Sequence, residues 1–161
     1  MMRTVEGTHM AAGFRFAIVV SKYNDFVTER LQAGALAALA AAGVASDDVM
    51  VVHVPGAFEI PIAAQHVAET GRFDAIVCLG CVIRGATPHF EYIASAVANG
   101  LTSASAATGI PMAFGVLTTN SVEEAIERAG EGDANKGREA ALAAVEMATL
   151  VAQLGAETQR K

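Results

Sequence analysis

The sequence predicts a three-layer α/β/α sandwich built around a four-stranded parallel sheet. Apolar runs alternate with segments of helical periodicity along the 161-residue chain. The predicted strands are continuously apolar rather than alternating, which is typical of strands covered on both faces. Right-handed crossovers of helical length then join the parallel strands. A chain of this length can bury a sizeable single core.

Four apolar runs supply the strands. Each is short, rich in Val, Ile, Leu or Phe, and followed by a polar or glycine-containing turn, as expected of a buried strand. The runs lie at residues 14–20, 49–54, 75–79 and 112–117.

Helices are predicted between and after these strands, where apolar residues recur every three or four positions. Gly43 closes the first helix, Pro61 suits the first turn of the second, and Ser121 can cap the fourth. The five predicted helices span residues 28–42, 61–71, 90–108, 122–129 and 135–154.

The two ends of the chain show no clear periodicity. We expect residues 1–13 to be a frayed terminus or an arm that reaches a neighbour, and residues 155–161 to be a frayed polar tail. The whole chain, residues 1–161, is predicted to form a single domain that includes this arm and tail.

Composition restricts the class of partner. The net charge is −6 and no basic cluster occurs, which argues against binding nucleic acid. The longest apolar run, residues 33–45, is too short to span a bilayer, and no secretory leader opens the chain. We therefore expect a cytoplasmic protein without a membrane partner, and the Ala-rich composition hints at buried subunit contacts.

The strongest functional signal is the turn that follows the third strand. Thr87 can act as a helix N-cap, and Gly85 lets the backbone turn with its amides exposed. Free amides at a helix N-terminus bind anions, Arg84 adds positive charge, and His89 is titratable near neutrality. This pattern predicts a phosphate held beside a proton carrier.

The other polar loops also follow strands, whose carboxyl ends meet at one edge of a parallel sheet. Tyr23 is either a stacking platform for a flat ligand or an aromatic that closes a strand end. Glu59 is either a helix-dipole partner or a ligand acceptor, and we favour the ligand. Arg128 and Lys136 flank a later loop and are either functional or solvated helix-end charges.

The two cysteines, Cys78 and Cys81, form a C-x-x-C pattern. A redox pair normally lies at a helix N-terminus, whereas Cys78 lies within the third apolar run. Residues three apart in a strand also project to opposite faces. We therefore predict two buried, unreactive thiols.

Several motifs together resemble the 6,7-dimethyl-8-ribityllumazine synthase family. The resemblance covers residues 14–152, and the two most specific motifs are PGAFEIP at residues 55–61 and VIRGATPHF at residues 82–90. It continues in NDF at residues 24–26, AIERAG at residues 125–130 and NKG at residues 135–137.

This resemblance implies a flavodoxin-like fold and a reaction of riboflavin biosynthesis. The family condenses 5-amino-6-ribitylaminouracil with 3,4-dihydroxy-2-butanone 4-phosphate and releases phosphate and water. It needs neither a metal nor a cofactor. The resemblance also implies a homo-oligomer, either a pentamer or a sixty-subunit shell.

The resemblance further implies a role for each site residue. Tyr23 would stack on the pyrimidine ring, and His89 would move protons. The loop formed by Ala57, Phe58 and Glu59 would hold the ribityl chain and the ring edge. Val82 and Ile83 would line the pyrimidine pocket. The phosphate would be bound by Ala86 and Thr87, and the adjacent subunit would contribute Phe114, Arg128 and Lys136, with Arg128 on the phosphate.

Two departures from the family pattern stand out. Tyr23 replaces the usual Phe or Trp, and residues 131–134 read EGDA where many members carry a lysine. The alternative function is a paralogue that binds flavin or lumazine, or forms a shell, without catalysis. A redox protein using the C-x-x-C pattern is a third possibility, which the strand position disfavours.

Overall fold

A computed structural model describes residues 1–158 and contains a four-stranded sheet in which every strand is parallel to its neighbours. The strand order is β2-β1-β3-β4. The strands are β1 (Phe16–Ser21), β2 (Val49–Val54), β3 (Ala75–Ile83) and β4 (Met112–Thr119). With helices on both faces, this is the predicted three-layer, flavodoxin-like architecture.

Within residues 1–158, five α-helices cover the sheet. They are α1 (Asp25–Ala41), α2 (Ile60–Glu69), α3 (His89–Thr108), α4 (Val122–Arg128) and α5 (Lys136–Thr158). Two short 3₁₀ turns flank functional loops: Ala57–Glu59 precedes α2, and Gly132–Ala134 precedes α5.

Each face of the sheet has its own hydrophobic core. Along β1, Phe16 and Ile18 pack with α1, α4 and α5, whereas Ala17 and Val19 pack with α2 and α3. All four side chains are fully buried. This two-sided burial explains why the strands are continuously apolar.

The strand order creates a crevice between β1 and β3. The helix after β1 lies on one face of the sheet, and the helix after β3 lies on the other. The loops that follow these two neighbouring strands therefore diverge at their carboxyl ends. Such a reversal of strand order is where open parallel sheets bind ligands.

The structure extends three strands beyond their predicted ends: β1 by one residue, β4 by two and β3 by four. β3 continues from Leu79 to Ile83 because residues 80–83 pair in register with residues 116–119 of β4. Gly80 resembles a turn residue in sequence, but a Cβ there would press against Ile60 and Val116. Val82 and Ile83 thus lie on a rigid strand instead of in the predicted turn.

Helix ends differ in a similar way. The prediction that Thr87 caps α3 is wrong, because the helix begins at His89 and no side chain caps it. Ser121 does cap α4, since its Oγ accepts a hydrogen bond from the Glu124 amide at 3.1 Å. α1 begins at Asp25, three residues before its predicted start. α5 continues to Thr158, so the predicted frayed tail is helical over residues 155–158 and residues 159–161 lie outside the described residues.

The N-terminal residues lie along α5 of the same chain. The Thr8 amide donates to Thr149 Oγ1 at 2.8 Å, and Gln153 Nε2 donates to the Glu6 carbonyl at 2.8 Å. Arg3 and Glu157 form an ion pair beyond them. Residues 1–13 are therefore an arm held by hydrogen bonds without forming helix or strand.

Within residues 1–158, α5 is the single helix long and apolar enough to cross a membrane by length and composition. Its inner face packs against α1, β3 and β4, and Ala141, Ala144 and Val145 are buried there. Packing on one face of the sheet accounts for this inner face, whereas Met147, Val151 and Leu154 on the helix are exposed.

Candidate active site

A cleft of about 800 Å³ opens at the carboxyl edge of the sheet, between β1 and β3. We call it the switch-point cleft. Its walls come from the loops after β1, β2 and β3 and from the first turn of α3. The predicted site residues that line it are Tyr23, Ala57, Phe58, Glu59, Val82, Ile83, Thr87 and His89. Ala86 is not part of the lining, although its neighbours Gly85 and Thr87 are.

Backbone hydrogen bonds fix the loop that carries Tyr23. The Tyr23 amide donates to the Pro55 carbonyl at 3.1 Å, and Asn24 Nδ2 donates to the Cys81 carbonyl at 2.9 Å. Asn24 adopts a left-handed conformation with φ of 62°, which is strained for a residue with a side chain. The loop is thus tied to β2 on one side and to β3 on the other.

Two aromatic rings stand exposed at the cleft. Tyr23 is 72% exposed and Phe58 is 59% exposed. Phe90 adds a third, partly buried ring. Aromatic faces offer a flat ligand a stacking surface of low conformational cost.

Glu59 lies directly before the first residue of α2. Its carboxylate does not cap the helix. Instead, the carboxylate lies close to Gly56, where an added Cβ would be 3.3 Å from Glu59 Oε1. The helix dipole favours a negative charge at this position. Glu59 therefore presents a hydrogen-bond acceptor in the cleft next to the exposed ring of Phe58.

His89 is the first residue of α3, and its side chain is exposed in the cleft. The Glu91 amide donates to the Pro88 carbonyl at 3.1 Å. Because no side chain caps this 20-residue helix, the amides of His89 and Phe90 are available to an external acceptor. Thr87 lies in the same turn and adds a hydroxyl. An anion bound here would lie within reach of the imidazole.

Arg84 does not add its charge to this turn. Its Nε donates to Asn120 Oδ1 at 2.9 Å, and its Nη1 donates to Glu91 at 3.2 Å. The guanidinium also lies over the Phe90 ring, 4.7 Å from its centroid. Arg84 therefore holds the loops after β3 and β4 together and supports Phe90, and it is not among the cleft-lining residues.

The remaining predicted residues, Phe114, Arg128 and Lys136, line a second cleft of about 350 Å³ between β4 and the start of α5. We call it the β4-edge cleft. It shares no lining residue with the switch-point cleft. Lys136 Nζ donates to Glu139 Oε2 at 2.9 Å. Within residues 1–158, Arg128 forms no ion pair.

The two cysteines are buried and unpaired, as predicted. Cys78 packs in the core beneath α2 and α3, and Cys81 packs in the opposite core. Burial raises the pKa of the Cys78 thiol to about 12 and that of Cys81 to about 11. Both stay protonated at neutral pH, which removes the reactivity a redox pair needs.

Sequence reasoning gave no separate role to Asn24 or Asn135, two asparagines that brace the loops around the clefts. The signal available was position: Asn24 precedes the first residue of α1, and Asn135 precedes the first residue of α5. Asparagine is favoured at helix starts and tolerates left-handed backbone.

Comparison with known proteins identifies the group to which the chain is related. The family model described as 6,7-dimethyl-8-ribityllumazine synthase matches residues 13–152. The chain belongs to this family. A curated 6,7-dimethyl-8-ribityllumazine synthase from Syntrophus aciditrophicus (strain SB) is 51% identical over 154 residues, which cover 96% of this chain and 100% of the relative.

Membership of the lumazine synthase family confirms the resemblance inferred from the motifs. The chain is an enzyme of riboflavin biosynthesis, a transferase that forms 6,7-dimethyl-8-ribityllumazine. The substrates are the ribitylaminouracil and the butanone phosphate named above. The active site must therefore accommodate a flat ring, a polyhydroxyl chain and a phosphate.

Proposed function

We propose that the switch-point cleft is the catalytic site of this condensation and that His89 is its proton carrier. The observation that carries the proposal is the position of His89: it begins α3 in the same cleft as the exposed Tyr23 ring and Glu59. The same cleft therefore contains an aromatic ring for stacking, a carboxylate that can accept from hydroxyls and an imidazole that can carry protons.

Each wall of the cleft has a proposed part in binding. Tyr23 stacks on the pyrimidine, while Val82 and Ile83 form the pocket floor for the ring. The loop of residues 57–59 holds the ribityl chain and the ring edge, with the Glu59 carboxylate accepting a ribityl hydroxyl. A hydrogen bond to a charged group of this kind contributes about 1.5–3 kcal/mol.

The turn before α3 is the proposed phosphate site. The backbone at Ala86, the Thr87 hydroxyl and the uncapped first turn of α3 supply donors. The lining of the switch-point cleft, all of it within the described residues, includes no Lys or Arg. A phosphate dianion bound there still lacks a cationic partner.

His89 serves the proton transfers of the reaction. The substrate amine attacks the ketone carbon, and loss of water from the adduct needs a proton on the departing hydroxyl. Departure of phosphate then follows removal of a proton from the adjacent carbon. An imidazole can perform both transfers because its ring nitrogens can each accept or donate a proton.

We propose that a neighbouring subunit completes the site. Phe114, Arg128 and Lys136 in the β4-edge cleft would face the switch-point cleft of the next subunit, with Arg128 on the phosphate. This makes a pentamer with five shared sites the smallest active unit, alone or as part of a sixty-subunit shell. We place the assembly in the cytoplasm, with no nucleic acid or membrane partner.

The surface beside the β4-edge cleft supports a subunit contact. An apolar groove between α3 and α5 includes Phe114, Met147 and Val151, each at least 40% exposed. β4 is also an edge strand of the sheet. Exposed apolar side chains grouped along a sheet edge are typical of a surface that another subunit covers. The Ala-rich α3, whose small side chains let helices approach closely, is the proposed packing element around the five-fold axis.

A product assay tests the proposal. Purified chain and both substrates should yield the lumazine, which has an absorbance that the substrates lack. Light scattering on the same sample should give a pentamer or a multiple of it. Tight binding of lumazine or flavin without turnover would favour the non-catalytic paralogue, and an active monomer would exclude the shared site.

A further inference from the structure

Asn135 occupies a position where three helices meet. Its side chain is buried, with 5% exposed, although asparagine is usually a surface residue. Its Nδ2 donates to the Arg30 carbonyl of α1 at 3.0 Å and to the Ala129 carbonyl after α4 at 3.3 Å. Its Oδ1 accepts from the Arg138 amide in the first turn of α5 at 3.0 Å.

This network determines which way the carboxamide faces. Two carbonyl oxygens require the donor side of the amide, and one backbone N–H requires the acceptor side. Aspartate could cap α5 equally well but could not donate to Arg30 or Ala129. The arrangement therefore uses both ends of an asparagine.

The bonds close a loop whose two ends carry the cations of the β4-edge cleft. Ala129 follows Arg128 directly, and Asn135 precedes Lys136 directly. The hydrogen bond from Asn135 to Ala129 thus fixes the spacing between the backbones that carry these two cations. The bond to Arg30 anchors the closed loop to α1.

Two glycines leave room for this arrangement. A Cβ on Gly34 of α1 would overlap the Asn135 carboxamide, and a Cβ on Gly137 would overlap the Leu31 carbonyl. α1 and α5 can therefore approach closely enough for the Asn135 side chain to reach Arg30.

We propose that Asn135 is a positioning residue for phosphate binding, acting through Arg128 and Lys136. The inference rests on the proposed role of Arg128 toward the phosphate. Asn135 itself contacts no substrate. It holds the backbone on both sides of the loop so that the two cations keep one spacing, and a displacement of about 1 Å in such a group can cost up to 10²-fold.

Asn135→Asp is the sharpest test because it keeps the cap on α5 and removes both donors. We expect the KM for the butanone phosphate and the inhibition constant of inorganic phosphate to rise about tenfold or more. The KM for the pyrimidine should change less than about twofold. Asn135→Ser keeps a capping hydroxyl without adding charge and serves as the second variant if the Asp variant does not fold. It should likewise raise the KM for the butanone phosphate much more than the KM for the pyrimidine.

Thr149→Val is the matched control. Thr149 is equally buried on α5 and bonds the N-terminal arm, far along the helix from the loop. It should lower stability without changing either KM. If both Asn135 variants lower only stability or kcat, with phosphate KM and inhibition unchanged, Asn135 is structural and the inference is overturned.

Arg128→Ala, measured in parallel, distinguishes a failure of the proposed Arg128–phosphate contact from a failure of the positioning role of Asn135. If Arg128→Ala raises the KM for the butanone phosphate and the Asn135 variants do not, the proposed role of Arg128 is supported. The positioning role of Asn135 is then wrong. If neither Arg128→Ala nor the Asn135 variants change the phosphate KM, the proposed role of Arg128 falls and the positioning role with it. A wild-type chain without turnover would overturn the proposed function itself.

Discussion

The switch-point cleft and the β4-edge cleft differ in the chemistry they offer. The first has aromatic rings, a histidine and a carboxylate, and no Lys or Arg in its lining. The second has Arg128 and Lys136 beside Glu139, with Phe114 as its single aromatic residue. A substrate pair that combines a flat ring with a phosphate needs both sets of groups. Under the proposed shared site, the two clefts would be complementary halves, each of which lacks what the other supplies.

The clefts are also built differently. The switch-point cleft draws on loops that directly follow strands, so the sheet itself places its side chains. The β4-edge cleft takes its cations from the ends of two helices, Arg128 of α4 and Lys136 of α5. The loop between them depends on the hydrogen bonds of Asn135. In the proposed site, proton transfer would belong to the cleft placed by the sheet, and phosphate binding to the cleft whose cations flank a loop.

The largest expected effect tests the proton-transfer half. His89→Ala should lower kcat about 10²–10⁴-fold, because a positioned acid–base group contributes that much. Binding of a product-like inhibitor should survive, since stacking and phosphate donors remain. His66→Ala, at an exposed position on α2, is the matched control and should leave kcat unchanged. Equal losses of kcat and inhibitor affinity would remove His89 from its assigned role.

The second-largest effect is expected from removing a cation of the β4-edge cleft. Arg128→Ala removes a charged hydrogen-bond donor and should raise the KM for the butanone phosphate about 10–100-fold, with the assembly intact. Mixed with His89→Ala chains, it should recover some activity, because a mixed interface can combine His89 from one subunit with Arg128 from another. Verified mixed pentamers without recovery would contradict the complementary halves.

A smaller effect concerns the acceptor beside the aromatic rings. Glu59→Gln keeps the shape and one acceptor oxygen, so the KM for the pyrimidine should rise only about tenfold, near the lower end for a charged hydrogen bond. Thermal stability without ligand should stay nearly unchanged. A large loss of stability with unchanged KM would assign Glu59 to packing instead of binding.

The smallest effect on activity is expected from the two buried thiols of β3. Cys78 lies in the core, and Cys81 is one of the residues that line the switch-point cleft. Replacing Cys78 and Cys81 with Ala should keep activity within severalfold. Their pKa values are raised by burial from 9.0 to about 12 and about 11, so the folded chain holds protons that the unfolded chain releases. This stabilisation is complete below pH 9 and is lost as the pH rises toward 11 and 12.

Denaturant titrations at pH 8 and pH 10.5 check whether the buried thiols make stability fall as the pH rises. The free energy of unfolding should fall more steeply with pH in the wild type than in the double Ala variant. Activity that followed the oxidation state of the thiols would instead revive the redox interpretation.

The sequence predicted the layers, the parallel sheet and most of the switch-point cleft, because strand periodicity and turn residues are local signals. Gly80 was misleading, since only its contacts with Ile60 and Val116 explain a glycine inside a strand. Arg84 was misleading for another reason. Its charge is visible in sequence, but its partners Asn120 and Glu91 are brought to it by β4 and α3.

Asn135 illustrates what local reasoning leaves out. Its place before α5 predicts an N-cap, which the bond to the Arg138 amide satisfies. The bond to the Arg30 carbonyl joins residues 105 positions apart, and no local pattern contains it. The separation of the predicted residues into two clefts likewise follows from tertiary packing.

The all-parallel sheet has a consequence for how the chain folds. No two paired strands are joined by a hairpin, and Phe16 pairs with both Val49 and Ala75. Each pairing must first close a long segment of chain, which slows folding relative to hairpin-rich sheets. The apolar strands stay unpaired during that delay. Newly made chains therefore pass through a period in which the sheet edges are open to other molecules, before each chain finds its own partners.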